Sequence, residues 1–231
     1  MIENLPLYIV VIFIMSTLIT VGIFQYATQR GAFSSSATKI LSVLLPFWLI
    51  FQATIAVTGF YKVTDSVPPR MIVFGIAPAL LTIVALFIFS KDFILRLSLQ
   101  TLTIIHIIRI PVEVVLHWLF QNGQIPQLMT YEGVNFDILS GITAPFIYWL
   151  AFRGGKINTP VLLIWNLLAL GLLLNIVIRA LLSFPSPLQQ FAFEQPNRAI
   201  MYFPFIWLPT VVVPIVLFSH LTSIWRLFKK Y

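Results

Sequence analysis

The sequence predicts an all-α fold, a polytopic transmembrane helical bundle of seven spans. Three observations predict it. Charged residues are only 9% of the chain and hydrophobic residues 59%, whereas a soluble domain carries about 25% charged residues. Apolar runs close to the ~20 residues needed to cross a bilayer recur from end to end. The basic residues gather in alternate connections between those runs. No segment is long and polar enough to form a soluble domain, so residues 1–231 read as one integral-membrane domain.

The spans are expected at approximately 5–24, 40–61, 71–90, 93–120, 137–152, 159–184 and 200–218. The first, within MIENLPLYIVVIFIMSTLITVGIF, has no basic n-region, carries Glu3 and shows no small-residue cleavage site. It reads as a retained span rather than a signal peptide. A Ser-rich loop, GAFSSSATK, leads to the second, and the third follows as a further apolar run. The fourth is long, so its first turns are expected at the interface or the whole helix tilted. The fifth is short and is expected to extend into its loop. The sixth carries Asn175 and Arg179 one turn apart on one face. The seventh holds Pro204, Pro209 and Pro214, each of which removes a helix hydrogen bond, so a kinked or locally unwound helix is expected. Tyr202 and Trp207 beside it read as an outer aromatic belt.

Charge bias sets the expected orientation. Arg30, Lys39, Lys91, Arg96, Arg153, Lys156, Arg226, Lys229 and Lys230 fall on one side, and Lys62, Arg70 and Arg198 on the other. Nine against three places the N-terminus outside and the C-terminus inside, in a bacterial-type inner (plasma) membrane. Two long connections, 121–136 and 185–199, then lie outside, where a site that opens outward is the simplest reading.

The candidate chemistry centres on the fourth span, LQTLTIIHIIRIPVEVVLHW. At 100° per residue, His106, Arg109, Glu113 and His117 lie within about 80° of arc on one helix face. Ionisable side chains at bilayer depth are costly and usually face a protein interior or wet cavity, where they mark function. The stripe should climb from the midplane at His106 to the outer interface at His117, with a kink and a freed Ile107 carbonyl at Pro111. Glu113 and His117 are candidate acid and base groups. His106, Arg109, Asn175, Arg179, Glu132, Asn135 and Asp137 are candidate contacts for a substrate. A Glu113–Arg179 ion pair across helices, with Arg109 nearby, would leave surplus positive charge suited to an anionic group. The bland alternatives are an Arg109–Glu113 pair that docks helices, Arg179 snorkelling to headgroups, and Asp137 as a simple N-cap.

No cofactor is firmly implied. Glu113 and His117 with Glu132 or Asp137 could ligate a divalent metal, but there is no HExxH and the chain has three histidines. Haem needs two histidines at one depth, and His106, His117 and His220 are expected at different depths. Retinal needs a lysine in the last span, which has none. With no cysteine, thiolate sites and disulfides are excluded. There is no GxSxG, phosphate loop or dinucleotide fingerprint, and scattered basic residues make no patch for nucleic acid. The sequence thus favours an outward-facing intramembrane pocket that binds or processes an amphipathic or anionic small molecule or lipid. The alternatives are a small-molecule or proton-coupled transporter, and a non-catalytic subunit or sensor with a structural ion-pair stripe. The expected partners are membrane lipids and a small amphipathic or anionic ligand; neither oligomeric state nor catalysis is legible.

Overall fold

A computed structural model describes residues 2–229, so Lys230, counted above with the basic side, lies outside the described residues. The described chain is helical, with no strand among the described residues. Helix α1 spans Leu7–Ala32 and α2 spans Ser36–Val57. A π-helical turn, Ile72–Ile76, leads into α3, Ala77–Phe89. Short helices follow at α4, Lys91–Arg96, and α5, Leu99–Ile104. A 3-10 turn, Ile105–Ile108, joins α5 to α6, Arg109–Gln121. Helices α7, Ile138–Phe152, and α8, Thr159–Leu182, come next. A second π-helical turn, Leu208–Val212, opens α9, Val213–Phe228.

Six stretches are long and apolar enough to cross a membrane: Leu7–Ala32, Ser36–Val57, Ile72–Phe89, Leu99–Gln121, Thr159–Leu182 and Leu208–Phe228. The Leu99–Gln121 and Leu208–Phe228 helices are the most buried, and Ile72–Phe89 the least. The fifth expected span, 137–152, falls short as a helix. Fifteen residues of α7 make about 22 Å at 1.5 Å per residue, against a hydrocarbon core of about 30 Å. Asn135 and Asp137, just before α7, are buried and reach Glu113 and Arg109 on α6. Asn135 and Asp137 thus bring the end of the 122–137 segment into the bundle, while Asn122, Gln127, Tyr131 and Glu132 stay exposed.

Local chemistry explains the other boundary differences. Ser35 Oγ accepts from the Thr38 amide at 3.1 Å, so the Ser-rich loop caps α2 four residues earlier than its apolar run begins. Polar residues prolong α1 because they face α2: Gln25 Nε2 donates to the Leu41 carbonyl at 3.2 Å. The long fourth span is two helices, because Leu97 and Ser98 are extended and Ser98 Oγ caps the Thr101 amide at 3.2 Å. The last span runs to Phe228, ten residues past its expected end at 218. Its polar residues Ser219, His220, Thr222 and Ser223 are all buried, so low hydropathy there reflects an inward polar face rather than a loop. Trp207 is no belt residue; it is buried and its indole donates to the Leu49 carbonyl at 3.0 Å.

The prolines act locally. Pro78 and Pro214 have no amide to give to the carbonyls four residues before them, Phe74 and Thr210. Side chains of α2 take both: Gln52 Nε2 donates to Phe74 at 2.9 Å and Trp48 Nε1 to Thr210 at 3.0 Å. The two π-helical turns touch each other, and a Cβ at Gly75 would lie 2.9 Å from Thr210 Cγ2. At Pro111, where a kink was expected, the irregularity lies just before the proline. The helix tightens into the 3-10 turn one step earlier, and Pro111 sits in the first turn of α6, where a missing amide is tolerated.

Candidate functional site

Arg109 is the hub of a buried polar network. Its Nη1 donates to Asp137 Oδ1 at 2.8 Å and to the Ala169 carbonyl at 3.4 Å. Its Nη2 lies 3.0 Å from His220 Nε2. A guanidinium only donates, so His220 Nε2 must accept and its proton sits on Nδ1. Nδ1 is 2.9 Å from Asn166 Oδ1, and Asn166 Nδ2 donates to the Leu162 carbonyl at 2.8 Å. Donation runs outward from Arg109 on both sides: through His220 and Asn166 to the Leu162 carbonyl, and directly to Asp137.

Glu113 is held separately. Asn135 Nδ2 donates to Glu113 Oε2 at 2.6 Å and to the Met129 carbonyl at 3.0 Å, while Asn135 Oδ1 accepts from the Asp137 amide at 3.1 Å. One loop residue thus positions both carboxylates. The turn that brings Asn135 down needs Gly133, since a Cβ there would lie 2.4 Å from the Gln127 carbonyl oxygen. Helix α7 packs closely below, with a Cβ at Gly141 falling 2.9 Å from Ile110 Cγ1 and 3.2 Å from the His106 carbonyl oxygen.

Several expected contacts are replaced by others. Arg109 pairs with Asp137 rather than Glu113, and Asp137 makes no side-chain N-cap bond, because its carboxylate is turned to the guanidinium. Arg179 does not meet Glu113; its Nε donates to Asn175 Oδ1 at 2.9 Å, and Asn175 Nδ2 holds the Val134 carbonyl at 2.9 Å. His117 turns to the loop, stacked on Tyr131 with ring centroids 4.8 Å apart and 3.8 Å from Glu132. Glu113 and His117, one turn apart on α6, therefore face different partners. Among the described residues no group of three or more His, Asp or Glu is placed to hold a metal ion.

His106 and His220, expected at different depths, are in contact. Their rings stack at 4.0 Å, with Trp165 edge-on to His106 at 5.3 Å. Both imidazole nitrogens of His106 are buried without a partner, so this side chain serves as an aromatic wedge. His220 and Asn166 are site residues that the helix-face reasoning missed. Their signal was present as rare polar residues in apolar helices, but nothing in the sequence paired α8 with α9.

Beside this network lies a cleft of about 180 Å³ between α6, α8 and α9. Arg109, Glu113 and Asp137 lie at its polar end, and its other walls are apolar, including Val112, Leu173, Val177 and Val213. Leu80 and Leu174 also line it and are exposed on the outer surface of the bundle, so the cleft opens sideways between α3 and α8. His106, His117, Asn175 and Arg179 do not line it.

A family model described as a domain of unknown function, DUF8737, matches residues 68–228. This chain belongs to that family. The DUF8737 region takes in α3 to α9 and so contains the whole Arg109 network, both carboxylates and the walls of the cleft. Helices α1 and α2 precede it and supply Trp48 and Gln52, the donors to its two π-helical turns. No curated protein and no solved structure matches the chain.

Proposed function

We propose that this DUF8737 protein is a multi-pass protein of a bacterial-type plasma membrane that binds an amphipathic molecule entering sideways from the bilayer. The observation that carries the reading is the cleft: apolar walls, a mouth at Leu80 and Leu174, and Glu113 and Asp137 at its head. Exposed side chains on helices of bilayer length face lipid, so the mouth opens where hydrocarbon is the solvent. An amphiphile then leaves one apolar environment for another while its head reaches polar groups that lipid cannot satisfy. The Arg109 network holds α6, α7, α8 and α9 around that head position. The nine-to-three bias of basic residues supports an N-terminus outside, and the 122–137 segment with α7 completes a seventh crossing.

Photolabelling tests the reading. With a decyl diazirine in phosphatidylcholine nanodiscs, adducts are expected on Leu173, Val177 and Val213, and Val177→Trp should remove them. Adducts confined to exposed residues such as Leu81 and Ile88, unchanged by Val177→Trp, would contradict it.

A further inference from the structure

This inference rests on the cleft reading and gives its occupant a charge. Of the residues lining the cleft only Arg109, Glu113 and Asp137 are polar. Three of the five Arg109 N–H donors are engaged away from it: both on Nη1, with Asp137 and the Ala169 carbonyl, and one on Nη2, with His220. Its Nε is buried out of reach. The carboxylates differ. Glu113 Oε2 accepts from Asn135 and Asp137 Oδ1 from Arg109, while the second oxygen of each has no hydrogen-bond partner among the described residues. The head of the cleft therefore offers two unpartnered carboxyl oxygens against one remaining Nη2 hydrogen. Two carboxyl groups face one guanidinium there, so one added cation would balance both carboxylates. Arg179, the cation expected to reverse that balance, lies outside the cleft on Asn175.

An occupant that matches must donate hydrogen bonds, carry positive charge at one end and be hydrocarbon at the other. An ammonium group supplies three donors and no acceptor. An anionic head would meet two carboxylates in a low-dielectric setting, where like charges repel strongly. The volume admits one chain: about 180 Å³ is close to the ~150 Å³ engineered cavity that takes a benzene ring. We propose that the cleft binds a single-chain alkylammonium, its head on Glu113 and Asp137 and its tail along Leu173, Val177 and Val213.

Equilibrium binding of radiolabelled decylamine, decanol and decanoate to the full chain in phosphatidylcholine nanodiscs tests this. Saturable one-to-one decylamine binding is expected, with decanol at least ten-fold weaker and decanoate weaker still. Glu113→Gln should weaken decylamine at least ten-fold and leave decanol unchanged. Phosphatidylethanolamine added to the nanodiscs should not displace decylamine; displacement would assign the site to a lipid headgroup and overturn the single-chain proposal. Decanoate binding as tightly as decylamine, or full decylamine binding by Glu113→Gln, overturns the charge assignment. If all three probes then bind alike and Val177→Trp abolishes them, the cleft reading survives while this inference fails. If none binds the wild type, both fail. Ala79→Trp, which fills a second cavity of about 170 Å³ among α1, α2, α3 and α9, should leave decylamine binding intact; its loss there would place the site in that cavity and overturn the proposal.

Discussion

At the scale of single residues, Arg109, Glu113 and His106 carry opposite expectations although all three are buried in one span. Arg109 holds Asp137, so removing either partner strands a buried charge. Arg109→Ala is expected to cost about 3–5 kcal/mol, read as a large loss of thermal stability in detergent. Glu113→Gln keeps an acceptor for Asn135 Nδ2, and its stability should stay within about 1 kcal/mol of wild type. His106→Phe removes two polar atoms that have no partner while keeping an aromatic wedge between His220 and Trp165. It should be neutral or stabilising by up to about 1–2 kcal/mol, and a clear loss of stability would show that the imidazole has a polar role. The importance of Arg109 and Glu113 was legible in the sequence because ionisable residues in apolar runs stand out by composition alone. Their partners were not legible. Asp137 stands at the start of the fifth expected span, where it reads as an N-cap, and only the tertiary path of residues 122–137 carries it to Arg109.

At the scale of elements, the prolines of α3 and α9 are matched by donors on α2. Trp48→Phe leaves the Thr210 carbonyl without its partner and is expected to cost about 1–3 kcal/mol. Pro214→Ala in that background returns an amide four residues after Thr210, so the double variant should recover part of the loss, while Pro214→Ala alone should not stabilise. Additive effects in a double-mutant cycle of thermal stabilities would contradict the pairing. Tyr61 fixes the other half. Burial pushes its hydroxyl up to about 12, so at neutral pH it is a donor, and it gives that hydrogen to Gln52 Oε1 at 2.7 Å. This leaves Gln52 Nε2 to serve Phe74. The three prolines near the last span announced irregular backbone in the sequence, yet the matching donors lie about 160 residues away in the chain for Trp48 and Thr210, a distance that local patterning does not bridge. Helix starts were misplaced for a related reason: Ser35 and Ser98 cap helices inside stretches whose hydropathy alone shows no boundary.

For the whole molecule, the membrane bundle was legible because six of its helices announce themselves by length and apolarity. The fifth expected span was harder, since its helix, α7, has only fifteen residues. The absence of cysteine makes its topology directly testable. Ser34→Cys and Lys156→Cys should react with a membrane-impermeant maleimide from one face, and Asn122→Cys and Ser186→Cys from the other. Reaction of Asn122→Cys and Lys156→Cys from the same face would mean that the 122–152 segment does not cross. The central claim is that a laterally open cleft ends on Glu113 and Asp137 and holds an amphiphile. A high-resolution density map of the protein in nanodiscs supplied with decylamine tests it most directly. Elongated density between α6 and α8, with its head against the Glu113 and Asp137 carboxylates and absent in Val177→Trp, is the predicted result. A closed cleft with Glu113 salt-bridged to Arg109 or Arg179 would contradict it.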